Sequence, residues 1–236
     1  METTQLLVNL NSNAGQRPAT LAVASPEETF APYVQELLLA LGSAVGEDPL
    51  REGLKRTPER VARMYSEILA GYQTDLTALV NGAIFESDYQ EMVLVRNLEF
   101  YSLCEHHMLP FYGRAHVAYV PDGKIIGLSK IPRLVEMFSR RLQVQERMTQ
   151  QIAETLQEIL HPKGIAILVE GAHFCAMMRG VKKSEARMVT SAMLGAFRED
   201  SSLRQDFYNQ LGLGSSFSPA RASLIEPDGG QHEDLL

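Results

Sequence analysis

The sequence predicts an α+β protein whose helices and strands come in consecutive pairs. Two segments with apolar residues at helical spacing precede two segments with a β-type pattern, and two more helical segments and two more strands follow. This order predicts an antiparallel sheet with helices on one face. Apolar residues make up 45% of the 236 residues, so the chain has enough of them to build a core.

The N-terminal part is predicted to be helical after a flexible arm of residues 1–24. Ser25-Pro26-Glu27-Glu28 combines an N-cap serine, a proline in the first turn and a glutamate at the third position, which is typical of a helix start. Thr57-Pro58-Glu59 predicts a second start by the same logic, and Gly71 suits the end of that helix. The predicted helical region therefore covers residues 25–72.

From residue 92 onward, the apolar pattern changes between the strand period and the helix period. The β-type runs are bounded by turn residues such as Pro121-Asp122-Gly123-Lys124, and Ser129 is predicted to cap the first of two further helices. The predicted elements, in chain order, are strands 92–103 and 114–120, helices 131–142 and 144–160, and strands 165–178 and 186–197.

Composition excludes several classes of protein. The net charge of −7 argues against a general nucleic-acid-binding protein, whose affinity relies on clustered Lys and Arg. An acidic protein can still have a locally basic pocket for an anionic substrate. No apolar run approaches the roughly 20 residues that cross a bilayer, and the N-terminus lacks a secretory signal pattern. Two cysteines make no disulfide framework, so a reducing, cytoplasmic compartment is predicted.

The clearest chemical motif is CEHHMLP, residues 104–110, in which a thiol and two imidazoles lie within four positions. Cys104 and His107 have the spacing of a ligand pair on a tight turn. His173 and Cys175, predicted to lie in one strand, would point to the same side of it. Thiolate and imidazole together favour Zn²⁺. The alternative is a buried core cysteine among ordinary hydrogen-bonded histidines, which is the better interpretation for any single Cys or His.

The number of candidate ligands bears on the kind of metal site. A structural zinc has four protein ligands, whereas a catalytic zinc keeps a position for water. With five candidates, a surplus histidine such as His106 would be free to move protons beside a metal-bound water, because imidazole titrates near neutral pH. A catalytic site is therefore favoured, and a closed structural module with His106 as the fourth ligand remains the alternative.

Several basic residues are candidates for holding an anion, although solvated surface charge is the better interpretation for any one of them. No Walker A loop is present, so side chains rather than a glycine-rich loop would bind a phosphate. Gln145 and Glu146 open the long helix, where compensation of the helix dipole is an equally good explanation. The basic and polar candidates are Ser129, Lys130 and Arg133 at one helix start, Arg179 after Cys175, and Arg60 and Arg63 in the second helix.

Three long motifs, SLCEHHMLPFYG, GLSKIPRLVEMFSRRLQVQERMTQQI and HFCAMMRGV, closely resemble GTP cyclohydrolase I. The resemblance runs from about Thr57 to Phe197 and leaves both ends of the chain outside. It implies the tunnelling fold, a four-stranded antiparallel sheet with two helices inserted between strands 2 and 3. Residues 73–214 would then form the catalytic domain. The polar composition of residues 215–236 separately predicts a disordered tail.

The resemblance also implies an activity and an assembly. Members of the family convert GTP and water to formate and 7,8-dihydroneopterin triphosphate, the first step toward folate or biopterin. Their subunits form a homodecamer with active sites at subunit interfaces. In the implied reaction a zinc-activated water attacks C8 of the guanine.

By the same resemblance, each site residue has an implied role. Cys104, His107 and Cys175 would hold Zn²⁺, and His106 and His173 would transfer protons. Glu146, assisted by Gln145, would bind the guanine. Family members often have Lys where this chain has Arg63, which keeps the charge but changes the contact geometry. The residues implied for the triphosphate are Ser129, Lys130, Arg133 and Arg179, with Arg60 and Arg63 beside them.

Two rival functions share the fold. A nitrile reductase would need NADPH, a nucleophilic cysteine and no zinc, and the set of Cys104, His107 and Cys175 argues against it. A non-catalytic regulatory homologue would be expected to have lost His106, His173 or Glu146, and all three are present.

Overall fold

The computed structural model describes residues 26–213. The predicted arm, the Ser25 cap and the predicted tail lie outside the described residues. Within them, the protein has the mixed α+β composition that the sequence predicts. No helix in this range is long and apolar enough to cross a membrane.

Two helices at the N-terminal side, α1 (Pro26–Val45) and α2 (Thr57–Ile68), pack against each other. The rings of Phe30 and Tyr65 meet between them, with their centroids 6.0 Å apart. After a 3₁₀ turn at Ala70–Tyr72, the remaining elements are α3 (Leu76–Val80), β1 (Ile84–Glu86), β2 (Val93–Cys104), β3 (Pro110–Val120), β4 (Lys124–Ile126), α4 (Lys130–Ser139), β5 (Leu142–Gln143), α5 (Gln145–Leu160), β6 (Gly164–His173), α6 (Phe174–Met177), β7 (Met188–Gly195), α7 (Ala196–Glu199) and α8 (Ser201–Gln210).

The main sheet has the strand order β5-β2-β3-β6-β7. Its four long strands form an antiparallel ladder, and the two-residue β5 pairs in parallel with the end of β2. α4 and α5 lie between β3 and β6 along the chain. β1 and β4 form a separate two-stranded ribbon.

The core lies between one face of the sheet and the helices α4 and α5. Leu134 and Ile152 of these helices share one buried cluster with strand residues such as Val117 and Ile167. Removal of such apolar side chains from water is the main stabilising contribution, at about 25 cal/mol per Å². The opposite face is covered by α7 and α8, where Phe197 packs in a second buried cluster.

The observed elements differ from the predicted ones in the sheet and near the C-terminus. The sheet has five strands rather than four, because β5 is too short to show a periodic pattern. The helix α8 was not predicted, since Phe207 is its only buried residue and gives no apolar stripe. The prediction that Thr57 caps α2 is wrong by one residue, because Arg56 occupies the cap position without a side-chain capping bond.

The predicted strand 165–178 is wrong in its second half. β6 ends at His173, and the chain then turns into the single-turn helix α6, which contains Cys175. The last pair of the ladder with β3 joins Phe111 and His173. The residue before Phe111 is Pro110, which has no N–H to extend the ladder. His173 and Cys175 therefore do not share a strand face.

Candidate metal centre and active site

Three metal-binding side chains meet at one end of the sheet. Cys104 ends β2, His107 lies in the turn that follows, and Cys175 lies in α6. One ligand atom from each lies within 4.8 Å of the other two. Among residues 26–213, this is the one group of three or more His, Cys, Asp or Glu side chains found with that geometry.

Backbone hydrogen bonds fix the turn that carries His107. The Cys104 N–H donates to the Leu109 carbonyl at 2.9 Å, and the Met108 N–H donates to the Cys104 carbonyl at 2.8 Å. Met108 has φ 52°, a left-handed conformation that few non-glycine residues adopt. This tight closure presents His107 toward the sulfur of Cys104.

The donor set fits a zinc ion. Two sulfurs and one imidazole nitrogen are the ligand types that Zn²⁺ prefers, and three protein ligands leave a fourth position for water. Cys104 is buried, Cys175 is half-buried and His107 is exposed, so the cluster opens to solvent on one side. Burial and the adjacent Cys104 sulfur raise the pKa of the Cys175 thiol. A bound cation reverses that preference, because a coordinating thiol is deprotonated.

His106 lies beside the cluster but outside it. Its Nδ1 is 3.8 Å from the Cys104 sulfur, its ring is exposed, and it is not one of the three mutually close donors. The two adjacent imidazoles are 6.4 Å apart between ring centroids and nearly perpendicular. His106 can therefore contact a molecule at the cluster without being a ligand.

His173 is held on two sides. Its ring stacks on Phe111, with centroids 4.6 Å apart and planes 5° from parallel. Its Nε2 is 2.9 Å from Oε1 of Gln145, the first residue of α5. Burial lowers the pKa of His173, and the negative charge of Glu146 opposes that shift. The ring is therefore biased toward the neutral form, which can accept a proton.

Gln145 is completely buried. Its amide nitrogen lies 2.9 Å from the Met188 carbonyl, 3.1 Å from the Val169 carbonyl and 3.1 Å from Oγ1 of Thr190. Both ends of the Gln145 amide are thus occupied by protein groups. Glu146, the next residue, is exposed in the first turn of α5, where a negative charge is favourable.

Among the predicted anion-binding residues, Arg179 comes closest to the metal cluster. Its Nη1 is 2.9 Å from Nε2 of His107. Since a guanidinium only donates, His107 presents a lone pair at Nε2. The contact brings a positive charge to the edge of the site, where a phosphate group would be attracted.

The other predicted anion-binding residues lie elsewhere in the single chain. Ser129 occupies the cap position of α4 without making a side-chain capping bond, and Lys130 is the first residue of that helix. Arg133 lines a separate cavity of about 570 Å³ with Asp75 and Glu136. Arg60 and Arg63 are exposed on α2. Within residues 26–213, no hydrogen bond or ion pair joins the side chains of Ser129, Lys130 or Arg133 to the three metal-binding donors.

One contact on the metal-binding turn was not predicted from the sequence: Arg147 holds Glu105 of the turn, and we call this contact the clamp. The guanidinium of Arg147 contacts the Glu105 carboxylate with both terminal nitrogens, and its Nε donates to Oε1 of Gln143 at 2.9 Å. The Glu105 N–H donates to the Gln143 carbonyl at 3.0 Å. The opposite charges of Glu105 in CEHH and Arg147 in QER were the available signal for this contact.

The family model and the similar protein sequences agree on one family. A family model described as GTP cyclohydrolase I matches residues 33–212. A GTP cyclohydrolase 1 from Leptospira biflexa is 53% identical over 182 residues, which are 77% of this chain and 100% of that protein. One from Gloeobacter violaceus is 57% identical, covering 69% of this chain and 76% of that protein. One from Synechococcus is 49% identical, covering 86% of both.

Among solved structures, the chain is similar to an archaeosine synthase QueF-Like in the apo form. The TM-score is 0.38 and the identity 14%, over 47% of this chain and 97% of that one. At this level of similarity, no conclusion about function follows.

Proposed function

This chain belongs to the GTP cyclohydrolase I family and is an enzyme of that type, and we propose that it converts GTP and water to 7,8-dihydroneopterin triphosphate and formate. The observation that carries the proposal is the convergence of Cys104, His107 and Cys175 at one end of the sheet, in a chain with only two cysteines. The tunnelling fold is part of the same proposal, and the observed order of four long antiparallel strands with two inserted helices supports it.

In this proposal the resident cofactor is Zn²⁺, held by Cys104, His107 and Cys175. Bound by these three residues, the ion would lower the pKa of a water molecule toward about 7, which would provide a nucleophile for C8 of the guanine. The open side of the cluster gives the purine access.

His106 and His173 handle the protons. His106 lies 3.8 Å from the sulfur of Cys104, and His173 precedes Cys175 by two residues. Imidazole can accept and return a proton near neutral pH. Opening of the imidazole ring of the guanine yields a formamide, whose hydrolysis releases formate. Rearrangement of the ribose and ring closure then give the dihydropterin.

Glu146 recognises the guanine. The guanine N1–H and 2-amino group are two parallel donors, and a carboxylate accepts both at once. An adenine would leave the Glu146 carboxylate unpaired, so discrimination against ATP is expected to be large. Its exposure in the single chain leaves it available to a ligand.

In this proposal, basic side chains bind the triphosphate, and some of them come from a neighbouring subunit of a homo-oligomer. Arg179 contacts His107 of the cluster, whereas Arg133 of α4 lines a separate cavity in one chain. A homodecamer with active sites at subunit interfaces would let a neighbouring subunit supply such residues. The proposed triphosphate residues are Ser129, Lys130, Arg133 and Arg179, with Arg60 and Arg63. We place the enzyme in the cytoplasm, at the start of pterin biosynthesis, because thiolate ligands need reducing conditions.

The test is incubation of the purified protein with GTP, with and without a zinc chelator. We expect stoichiometric formate and a pterin that fluoresces after oxidation, and loss of both after chelation. ATP is the matched control substrate and should give neither product. Turnover of GTP that survives complete removal of the metal would contradict the zinc mechanism, and absence of any formate from the zinc-loaded enzyme would contradict the proposed function.

A further inference from the structure

We infer that Gln145 is a positioning residue for His173 rather than a contact for the guanine, and that its amide oxygen holds His173 in the tautomer that carries its proton on Nε2. This inference rests on the proposed function for its catalytic half. Its structural half, that the neutral His173 ring carries its proton on Nε2, follows from the hydrogen-bond geometry alone.

The orientation of the Gln145 amide follows from its neighbours. One end faces two backbone carbonyls and the Thr190 hydroxyl, and carbonyls only accept hydrogen bonds. That end must therefore be the NH₂ group, because an oxygen there would face two carbonyl oxygens with no proton between them. The other end, Oε1, faces Nε2 of His173 at 2.9 Å.

The adjacent hydroxyls are consistent with this orientation. Oγ1 of Thr149 lies 2.7 Å from the backbone carbonyl oxygen of Gln145. Because a carbonyl oxygen can only accept a hydrogen bond, the Thr149 hydroxyl donates its proton to it. The Thr190 hydroxyl, 2.6 Å from Thr149, must then donate to Thr149. Its remaining lone pairs can accept from the Gln145 amide, so the direction of each hydroxyl hydrogen bond in the network is defined.

The amide oxygen of Gln145 fixes the tautomer of His173. Because Oε1 has no proton to donate, Nε2 of the ring must carry one for the hydrogen bond to exist. In the neutral ring, Nδ1 then has the free lone pair, and within residues 26–213 it has no hydrogen-bond partner.

A glycine makes room for this arrangement. A Cβ added to Gly171 would lie 2.2 Å from Oε1 of Gln145 and 3.5 Å from Nε2 of His173. Such a contact with Oε1 is far inside van der Waals distance, so any larger side chain would push the amide away from the ring. Because Gly171 of β6 has no side chain, the Gln145 side chain can pass over the strand at this residue and contact His173.

The catalytic test uses Gln145→Met in the zinc-loaded enzyme. Methionine keeps the length of the side chain but removes the acceptor, so we expect kcat to fall by about ten- to a hundredfold, as for other partners that orient a functional histidine. KM for GTP should change by less than about threefold, because no contact with the purine is lost. Gln150→Met, an exposed change in the same helix, is the matched control.

The tautomer is measured independently of turnover. In protein labelled with ¹⁵N-histidine, the His173 signal, identified by its loss in His173→Asn, should show a proton on Nε2. A proton on Nδ1 instead would overturn the inference whether or not the enzyme turns over GTP. A rise in KM with unchanged kcat in Gln145→Met would also overturn it, because that result is expected of a guanine contact.

Discussion

At the scale of single residues, the site depends on which imidazole binds the metal and which is free to act. His107 is one of the three mutually close donors, whereas His106 is not one of them and its Nδ1 lies 3.8 Å from the sulfur of Cys104. The two neighbours in sequence thus have different environments, and the planes of their rings are nearly perpendicular. This difference makes their roles separable by substitution.

We expect His106→Ala to retain stoichiometric zinc and to lose turnover by about a hundredfold or more, the usual contribution of a positioned acid or base. His107→Ala, the matched change one residue away, should lose the metal as well as the activity. Metal content by atomic absorption and formate release measure the two effects. Loss of zinc from His106→Ala would identify His106 as a fourth ligand and the site as a closed structural one.

A second residue-scale feature is a histidine far from the proposed chemistry. His116 lies in β3, and burial, with nearby Arg114 and Arg96, lowers its pKa from 6.5 to about 4. Its Nδ1 accepts a hydrogen bond from the Asn97 N–H at 3.4 Å, which a protonated ring cannot do. The folded protein therefore binds the His116 proton more weakly than the unfolded chain does.

The consequence is a loss of stability in acid. As the pH falls from 7 to 4.5, the unfolded chain takes up a proton at His116 before the folded protein does, so the free energy of unfolding decreases. After discounting for partial exposure, the contribution is about 2 kcal/mol. The measurement is urea unfolding of the wild type and His116→Gln at both pH values. Burial raises the pKa of Glu170, so this residue increases the free energy of unfolding as the pH falls. The effect is present in both proteins and cancels when their pH dependences are compared. An identical pH dependence in the two proteins would refute the prediction.

At the scale of elements, the metal-binding turn is tied to the N-terminus of α5. Arg147 of α5 contacts Glu105 of the turn and also Gln143 of β5. Gln143 is buried and donates to the Phe138 carbonyl at the end of α4. The turn that carries His107 and the helix that carries Glu146 are therefore connected by side chains, so the metal centre and the proposed guanine contact keep a fixed relation.

We expect Arg147→Met to raise the zinc dissociation constant by about tenfold, because the turn loses the group that orients it. The free energy of unfolding should also decrease, because Oε1 of the buried Gln143 loses its Arg147 donor, whereas the partly exposed Arg147–Glu105 ion pair itself contributes little. Competition with a chromophoric chelator measures the affinity. The control is Arg51→Met, which removes the exposed ion pair between Arg51 and Glu47, more than 50 residues before Glu105 in the chain. Equal zinc affinity in the two variants would show that the clamp has no part in metal binding.

At the scale of the whole molecule, the single chain has apolar surface without a partner. On α1, the side chains of Tyr33, Leu37 and Val45 are 69%, 57% and 72% exposed. Contiguous apolar surface of this kind usually marks a contact between proteins. Together with the position of Arg133 away from the metal cluster, it supports the proposed homo-oligomer.

Light scattering of the purified protein should give a mass about ten times that of one chain, as expected of a closed homodecamer. Replacement of Tyr33 and Leu37 by Ser should lower this mass, because the apolar contact is removed. Leu50→Ser, which changes an equally exposed side chain outside the helix, should leave the mass unchanged. A monomeric wild type with full activity would contradict both the assembly and the interface sites.

The α+β class, most of the element positions and the chemical types at the site could be predicted from local sequence patterns. Periodicity and turn residues specify helices and strands, and Cys104, His106 and His107 lie close together along the chain. How these groups meet in space depends on long-range contacts. Cys175 reaches Cys104 because β6 pairs with β3 and then ends at His173, and Gln145 reaches His173 because Gly171 leaves a gap. Such contacts depend on the register of segments many residues apart, which no local pattern encodes.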